Sequence, residues 1–269
     1  MHKIMKKFFI LNILLAFLFC GAISFAQPQK VMVVKSFPKF TLQVNLNYNQ
    51  SFLEFNGTYN NDFHSKDFMN GAALGADKGI GGSVTSKIAL SDRGRMRLNL
   101  SLNYNNFKTY LFGQNHQLAD IGKSSINIMS FGVGLEHNFT PNYKFKIYLG
   151  AEGTGNLISG KSTIWVDVPS TPGYTYDVTI TNSFRIGAAI FAGTEYMLND
   201  RMGLSFGFKY NFANLLLKSA KDSSDPNSFP LRDDNSNLPY SGKKTIAYIS
   251  ITGGVNFYWG VTSKRYLIK

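Results

Sequence analysis

The sequence predicts an all-β fold, an eight-stranded antiparallel up-and-down barrel that crosses a membrane with its strands, and three observations predict it. Apolar residues recur with period 2 through eight segments between residues 40 and 260. The connections between those segments alternate between short and long, and the chain opens on an export signal. Period 2 places alternate side chains on opposite faces of a strand, whereas a helix would scatter them round its circumference. Each segment has about the 9 to 11 residues that a tilted strand needs to cross hydrocarbon.

The export signal comes first. Lys3, Lys6 and Lys7 form a basic region, Phe8 to Phe19 an apolar stretch, and Ser24-Phe25-Ala26 a small-x-small site, so cleavage after Ala26 is expected. The single cysteine, Cys20, follows Phe19 where lipoprotein processing wants a small side chain. With it removed, disulfides, thiolate metal sites and a cysteine nucleophile are all excluded from the mature chain. Of 28 Lys+Arg against 16 Asp+Glu, only Lys3, Lys6 and Lys7 leave with the signal, so the mature formal charge is 25 minus 16, or +9. Export makes an anionic glycolipid surface, not nucleic acid, the expected partner of that charge. Aromatics are 14% and charged residues 16%, and after the signal no apolar run approaches the length of a membrane helix. A barrel with one face in lipid and one in a polar lumen needs such a mixture.

The first segment sets Phe40, Leu42, Val44, Leu46 and Tyr48 against Thr41, Gln43, Asn45 and Asn47. The second, 80–90, is glycine-rich at its start, and Val84, Ser86, Ile88 and Leu90 share one face. In the third, Met96, Leu98, Leu100, Leu102 and Tyr104 oppose Arg97, Asn99, Ser101, Asn103 and Asn105. The fourth has Met129, Phe131, Val133, Leu135 and Phe139 outward, and the fifth Tyr143, Phe145, Ile147, Leu149 and Ala151. The sixth has Ile186, Ala188, Ile190, Ala192 and Tyr196 outward. Glycines on the inner faces of these three leave room in a narrow barrel. The seventh runs Met202, Leu204, Phe206, Phe208, Tyr210 and Phe212, and the eighth Ile249, Ile251, Val255, Phe257 and Trp259.

Short turns are expected at Asp92-Arg93-Gly94, Thr140-Pro141-Asn142 and Leu198-Asn199-Asp200, and long connections at about 49–78, 106–124, 157–183 and 213–244. Membrane barrels of this kind keep short turns in the periplasm and long loops outside, so both termini are expected in the periplasm. A soluble sandwich would share the period but has no reason to alternate its turn lengths.

Parity assigns Lys87, Arg97, Glu136, Lys146, Glu152, Arg185, Glu195 and Lys209 to the lumen, with Glu136 facing Lys146 if the Thr140-Pro141-Asn142 turn has three residues. Unlike charges in a poorly hydrated lumen satisfy one another in a closed barrel, or gate a narrow path for small solutes. Aromatic girdles are expected at Tyr48, Tyr104 and Tyr210 on one rim, and at Phe40, Phe139, Tyr143, Tyr196, Phe257 and Trp259 on the other. In the third long connection, 164–168 and 174–180 flank a turn cluster at 169–173 and predict a hairpin standing above the membrane. Trp165, Tyr174 and Tyr176 on it are candidates for recognising an extracellular protein partner by strand addition. His64, His116 and His137 belong to no cluster with metal-ligand spacing, and no metal or cofactor is expected. His116, near Asp120, Ser124 and Ser125, is the only seed for a hydrolase-like site, and no motif ties these residues together.

Residues 38–260 resemble the small eight-stranded bacterial outer-membrane proteins, the barrel family of the A, X and W types. The most specific match is Thr252-Gly253-Gly254-Val255-Asn256-Phe257-Tyr258-Trp259, similar to the last-strand assembly signal, with Thr252, Gly254, Phe257 and Trp259 at its marked positions. The resemblance implies location in the outer membrane, contact with its lipids and lipopolysaccharide, and reading of this strand by the barrel-assembly machinery. It departs after Trp259, since the family usually ends on the final aromatic and this chain continues to Lys269. The expected organisation is a cleaved signal at 1–26, a periplasmic lead at 27–37, the barrel at 38–260 and a short basic tail at 261–269. The expected role is structural or one of surface interaction through the long loops. A narrow porin for small solutes and a lipid A modifying enzyme are the alternatives.

Overall fold

The structure, a computed structural model, describes residues 33–55, 76–91, 93–111, 122–168, 171–216, 228–229, 231 and 245–266. The expected signal segment, His64, His116 and Asp120 lie outside the described residues.

The strands in chain order are β1 (Val33–Phe37), β2 (Phe40–Phe52), β3 (Lys78–Ala89), β4 (Met96–Leu111), β5 (Gly122–Asn138), β6 (Phe145–Val168), β7 (Thr171–Met197), β8 (Met202–Leu216), β9 (Ser228–Phe229), β10 (Ala247–Trp259) and β11 (Thr262–Tyr266). One sheet runs β6-β5-β4-β3-β2-β10-β8-β7-β9, and β6 also pairs with β7. That pairing closes eight antiparallel strands into a barrel, with first and last joined from Trp259↔Phe40 to Ala247↔Phe52. Closure pairs the barrel wall on both sides of every strand, and along the β6–β7 ribbon β9 adds two parallel pairs at Thr179 and Ile180. A second sheet pairs β1 with β11, in segments that the sequence marks only as lead and tail.

Alternation dictates the wall. In β2 the odd residues Thr41 to Asn49 are buried, and Val44, Leu46 and Tyr48 are exposed. The 13 residues of β2, rising about 3.3 Å each and tilted about 40°, span roughly 33 Å along the axis, more than the ~25 Å apolar band of an outer-membrane barrel.

One expectation is met and extended, and one is corrected. The hairpin expected in the third long connection forms, and its ladder is longer than 164–168 with 174–180: β6 and β7, with 24 and 27 residues, run on as a ribbon to Val168↔Thr171. The β-branched and aromatic runs on both sides favour the ladder, and a register shift between Ile158 and Gly160 absorbs the irregularity. The turn after β5 is longer than three residues, spanning 139–144 with Phe139 N donating to Ile147 O at 2.9 Å. Glu136 therefore pairs with Gly150, not Lys146, and Lys146 pairs with Glu195. Within this turn the Asn138 carboxamide accepts from Thr140 N at 3.1 Å, Thr140 Oγ1 donates to Phe145 O at 3.0 Å and Tyr143 N donates to Thr140 O at 3.2 Å.

Candidate functional site

The lumen is built in three layers, beginning at the short-turn end with charge. Lys87 on β3, Arg97 on β4, Glu136 on β5 and Glu195 on β7 all point inward and are at most 2% exposed. Arg97 faces Glu136 across the β4–β5 pair, while Glu195 reaches them from the opposite wall. Lys87 Nζ lies 3.0 Å from Glu136 Oε2 and 2.7 Å from Glu195 Oε1. Arg97 Nη1 and Nη2 donate to the two Glu195 oxygens at 3.0 and 2.8 Å, and its Nε donates to Glu136 at 2.5 Å. Two cations and two carboxylates thus neutralise one another, and the fork of Arg97 fixes the geometry. The Tyr148 ring lies under Lys87, with Nζ 3.9 Å from its centroid, and Asn99 donates to Glu136 at 3.2 Å. Lys146 joins the floor from the turn, donating to Pro141 O at 2.5 Å and Tyr143 O at 2.7 Å. Small residues make the space, since a Cβ at Gly193 would sit 2.5 Å from Tyr148 Oη and 2.6 Å from Phe206 O.

The middle layer is amide. Asn47 and Asn49 both donate to Asn105 Oδ1, at 3.2 and 3.0 Å. Ser205 and Gln43 donate to Asn45 Oδ1 at 3.0 and 3.2 Å, and Ser250 donates to Asn49 Oδ1 at 2.6 Å. A second ion pair joins Glu152 to Lys209, with Ser101 Oγ 3.2 Å from each carboxylate oxygen. Gly132 leaves room for this carboxylate, because a Cβ there would meet Glu152 Oε1 at 2.6 Å. Of these groups, Gln43, Asn45, Asn47, Asn105, Glu152, Lys209 and Ser250 line a cavity of about 50 Å³, enough for a few waters at roughly 10–15 Å³ each.

An apolar plug forms the third layer, at the long-connection end, and sequence reasoning missed it. Phe107, Ile126, Ile128, Ile158, Ile180, Ala213 and Tyr248 turn inward from six strands, and Phe55, Ala76, Leu231 and Ile246 join them from the connections. The rings stack edge to face: Phe107 is 4.8 Å from Phe55 at 68° and 5.0 Å from Tyr248 at 70°. Leu53, with φ 56°, turns the chain after β2 so that Phe55 enters the lumen. Arg185 donates to Leu231 O and holds that connection down, with a second bond to Phe184 O at 2.9 Å.

All eight charged residues assigned to the lumen by parity thus point inward, in a cluster of four, one pair, and two cations donating to carbonyls. The eighth barrel strand brings Phe257 opposite Leu42 and Trp259 opposite Phe40, whose rings are 5.3 Å apart. Thr252 and Gly254 face inward on the same strand, opposite Asn47 and Asn45. Trp165, Tyr174 and Tyr176 sit on the paired ribbon, and their side chains lie outside the described residues. Ser124, one of the residues near His116, contacts Ser162 Oγ at 2.9 Å and is buried. Among the described residues no group of His, Cys, Asp and Glu has the makings of a metal site.

No protein-family model matches the chain, and no curated protein matches it. Among solved structures it is similar to Neisserial surface protein A, at 16% identity and a TM-score of 0.45, over 82% of this chain and 97% of that one. It is also similar to the outer membrane protein OprG from Pseudomonas aeruginosa, at 10% identity and a TM-score of 0.44, over 84% and 98%. CarO of Acinetobacter baumannii gives 8% identity and a TM-score of 0.35, over 87% and 100%. These likenesses are of fold, and the barrel itself rests on the strand pairing described above.

Proposed function

We propose that this chain is an integral protein of the bacterial outer membrane with a structural or surface-interaction role carried at its long-connection end. The observation that carries the reading is the outward face. Leu46, Ile80, Phe131, Leu135, Ile190 and Phe208 belong to an exposed apolar surface that runs round the barrel. Water-soluble monomers tolerate exposed apolar patches of only a few hundred Å², whereas hydrocarbon requires such a surface and a backbone paired throughout. Aromatics sit at both rims of this belt, with Tyr48 and Tyr104 at one and Phe139, Tyr143, Tyr196 and Trp259 at the other, all exposed. In this reading the short turns face the periplasm, and the β6–β7 ribbon stands outside as the surface most open to a protein partner.

The lumen favours a closed barrel over the narrow-channel alternative. Any solute would have to part a neutral, four-membered charge cluster at one end and a close-packed apolar plug at the other. A channel lined for conduction binds its solute weakly along a continuous path; here polar lining is confined to the central cavity. The test is conductance of the purified protein in planar bilayers. We expect a silent baseline, and discrete openings under steady voltage would put the channel reading first. Unchanged lipid A mass spectra on expression would count in the same way against the enzymatic alternative.

A further inference from the structure

Where the apolar belt ends, three of four neighbouring strands carry a cation in one row of their outward face. Register places Lys78 of β3 opposite Lys108 of β4, Lys108 opposite Ser125 of β5, Ser125 opposite Lys161 of β6, and Lys161 opposite Thr179 of β7. The three lysines are exposed. Among the described residues no ion pair engages them, although like charges directly opposite on a sheet repel. One row nearer the belt, Asn106, Asn127 and Ser159 are cross-strand partners. Asn106 donates to Asn127 Oδ1 at 2.6 Å and to Ser125 Oγ at 3.1 Å, and Tyr104 Oη donates to Asn127 Oδ1 at 2.9 Å. A further row down, Met129 and Leu157 are partners on the apolar wall.

On β4 and β6 the outward surface therefore passes from apolar, through amide or hydroxyl, to ammonium within three rows, with Asn127 and Ser125 of β5 between them, while on β3 Ile80 stands directly below Lys78. On the other side the lysine row continues from Lys78 as Gln50, Ile249 and Tyr210, without a cation. A generic interfacial ring would be cationic all round, and among the described residues this row is cationic on one flank.

We propose that this flank binds the phosphorylated headgroup of an anionic glycolipid in the outer leaflet. Lys78, Lys108 and Lys161 meet its phosphates, the Asn106 and Asn127 amides meet its sugar hydroxyls, and its acyl chains lie on the wall below. Lys108 and Lys161 are two strand spacings apart, roughly 10 Å, so two phosphates on one headgroup can engage both. The commitment to a membrane lipid over free phosphate comes from the apolar wall continuous with the patch. The proposal rests on the reading of the chain as an outer-membrane barrel.

The test compares the intact protein with K78Q/K108Q/K161Q, and with K39Q/K144Q/R201Q as a control that removes the same charge from exposed residues at the short-turn end. Native mass spectrometry from detergent counts bound bisphosphorylated lipid A, dephosphorylated lipid A and inorganic phosphate. Each lost cation weakens attraction to an anionic surface even after solvent screening, so the patch variant should bind bisphosphorylated lipid A at least about tenfold more weakly. The control should bind it as the intact protein does, dephosphorylated lipid A should bind weakly, and millimolar phosphate should not compete. Equal losses in both variants, no loss in the patch variant, or displacement by phosphate would overturn the site. Gel mobility of the same samples before and after boiling separates the two claims: a heat-modifiable intact protein that binds no lipid A refutes the site alone, and one that is not heat-modifiable refutes the barrel beneath it.

Discussion

Glu195 holds the lumen's floor together because it alone brings a carboxylate from β7 to the cations of β3 and β4. Removing one partner of a buried charge network leaves the others uncompensated, typically at a cost of about 3–5 kcal/mol. We expect Glu195→Ala to lower the stability of the barrel in liposomes by that order, read from urea unfolding, and Glu152→Ala, whose partner Lys209 is partly exposed, to cost clearly less. Equal effects would mean that the floor is not a special cluster. The eight lumen charges were legible in the sequence because a strand's period is exact and a charge on a polar face has only one place to go. The pairings among them were not, since a turn lengthened at Asn138 shifts Glu136 from Lys146 to Gly150. That shift is a property of the six-residue turn 139–144, whose side-chain and backbone bonds leave no periodic sign in the sequence.

At the scale of elements, the ribbon of β6 and β7 is the part of the fold least tied to the wall. Replacing 162–178 with Asn-Gly would leave Lys161 and Thr179, already partners, flanking a two-residue turn suited to strand twist. We expect this variant to insert and to stay heat-modifiable, since every pairing on the short-turn side of Lys161 survives. Failure to fold would show that the ribbon is part of the barrel's core. Its orientation is open to direct labelling, because the only cysteine, Cys20, lies in the expected signal. A Thr171→Cys protein should react with an impermeant maleimide on intact cells, and Asn199→Cys should react only after lysis. The strands were legible from period 2, and the plug was a signal passed over. In Ser125-Ile126-Asn127-Ile128 the apolar phase is opposite to that of Met129 and Phe131, and Tyr248 stands out of phase with Ile249 and Ile251. A phase flip at one end of a strand places large apolar side chains in the lumen. Phe55, Ala76 and Leu231 carried no such sign, for they reach the plug from connections without periodicity.

As a whole molecule the barrel has two closures in series, ion pairs at one end and rings at the other, with an amide-lined cavity between them. Series closures predict a particular behaviour: Glu195→Ala and Phe107→Ala alone should each leave a planar bilayer silent, and the combined variant should show discrete openings. Conductance from either single variant would mean that one layer alone seals the lumen. The apolar exterior, the rims and the paired backbone make membrane residence the central claim, and it is tested most directly by gel mobility in detergent. The unheated protein should run apart from the boiled protein, because a closed barrel of eight strands resists detergent until heat opens it. A single position before and after boiling, in a sample taken from the outer-membrane fraction, would contradict the account.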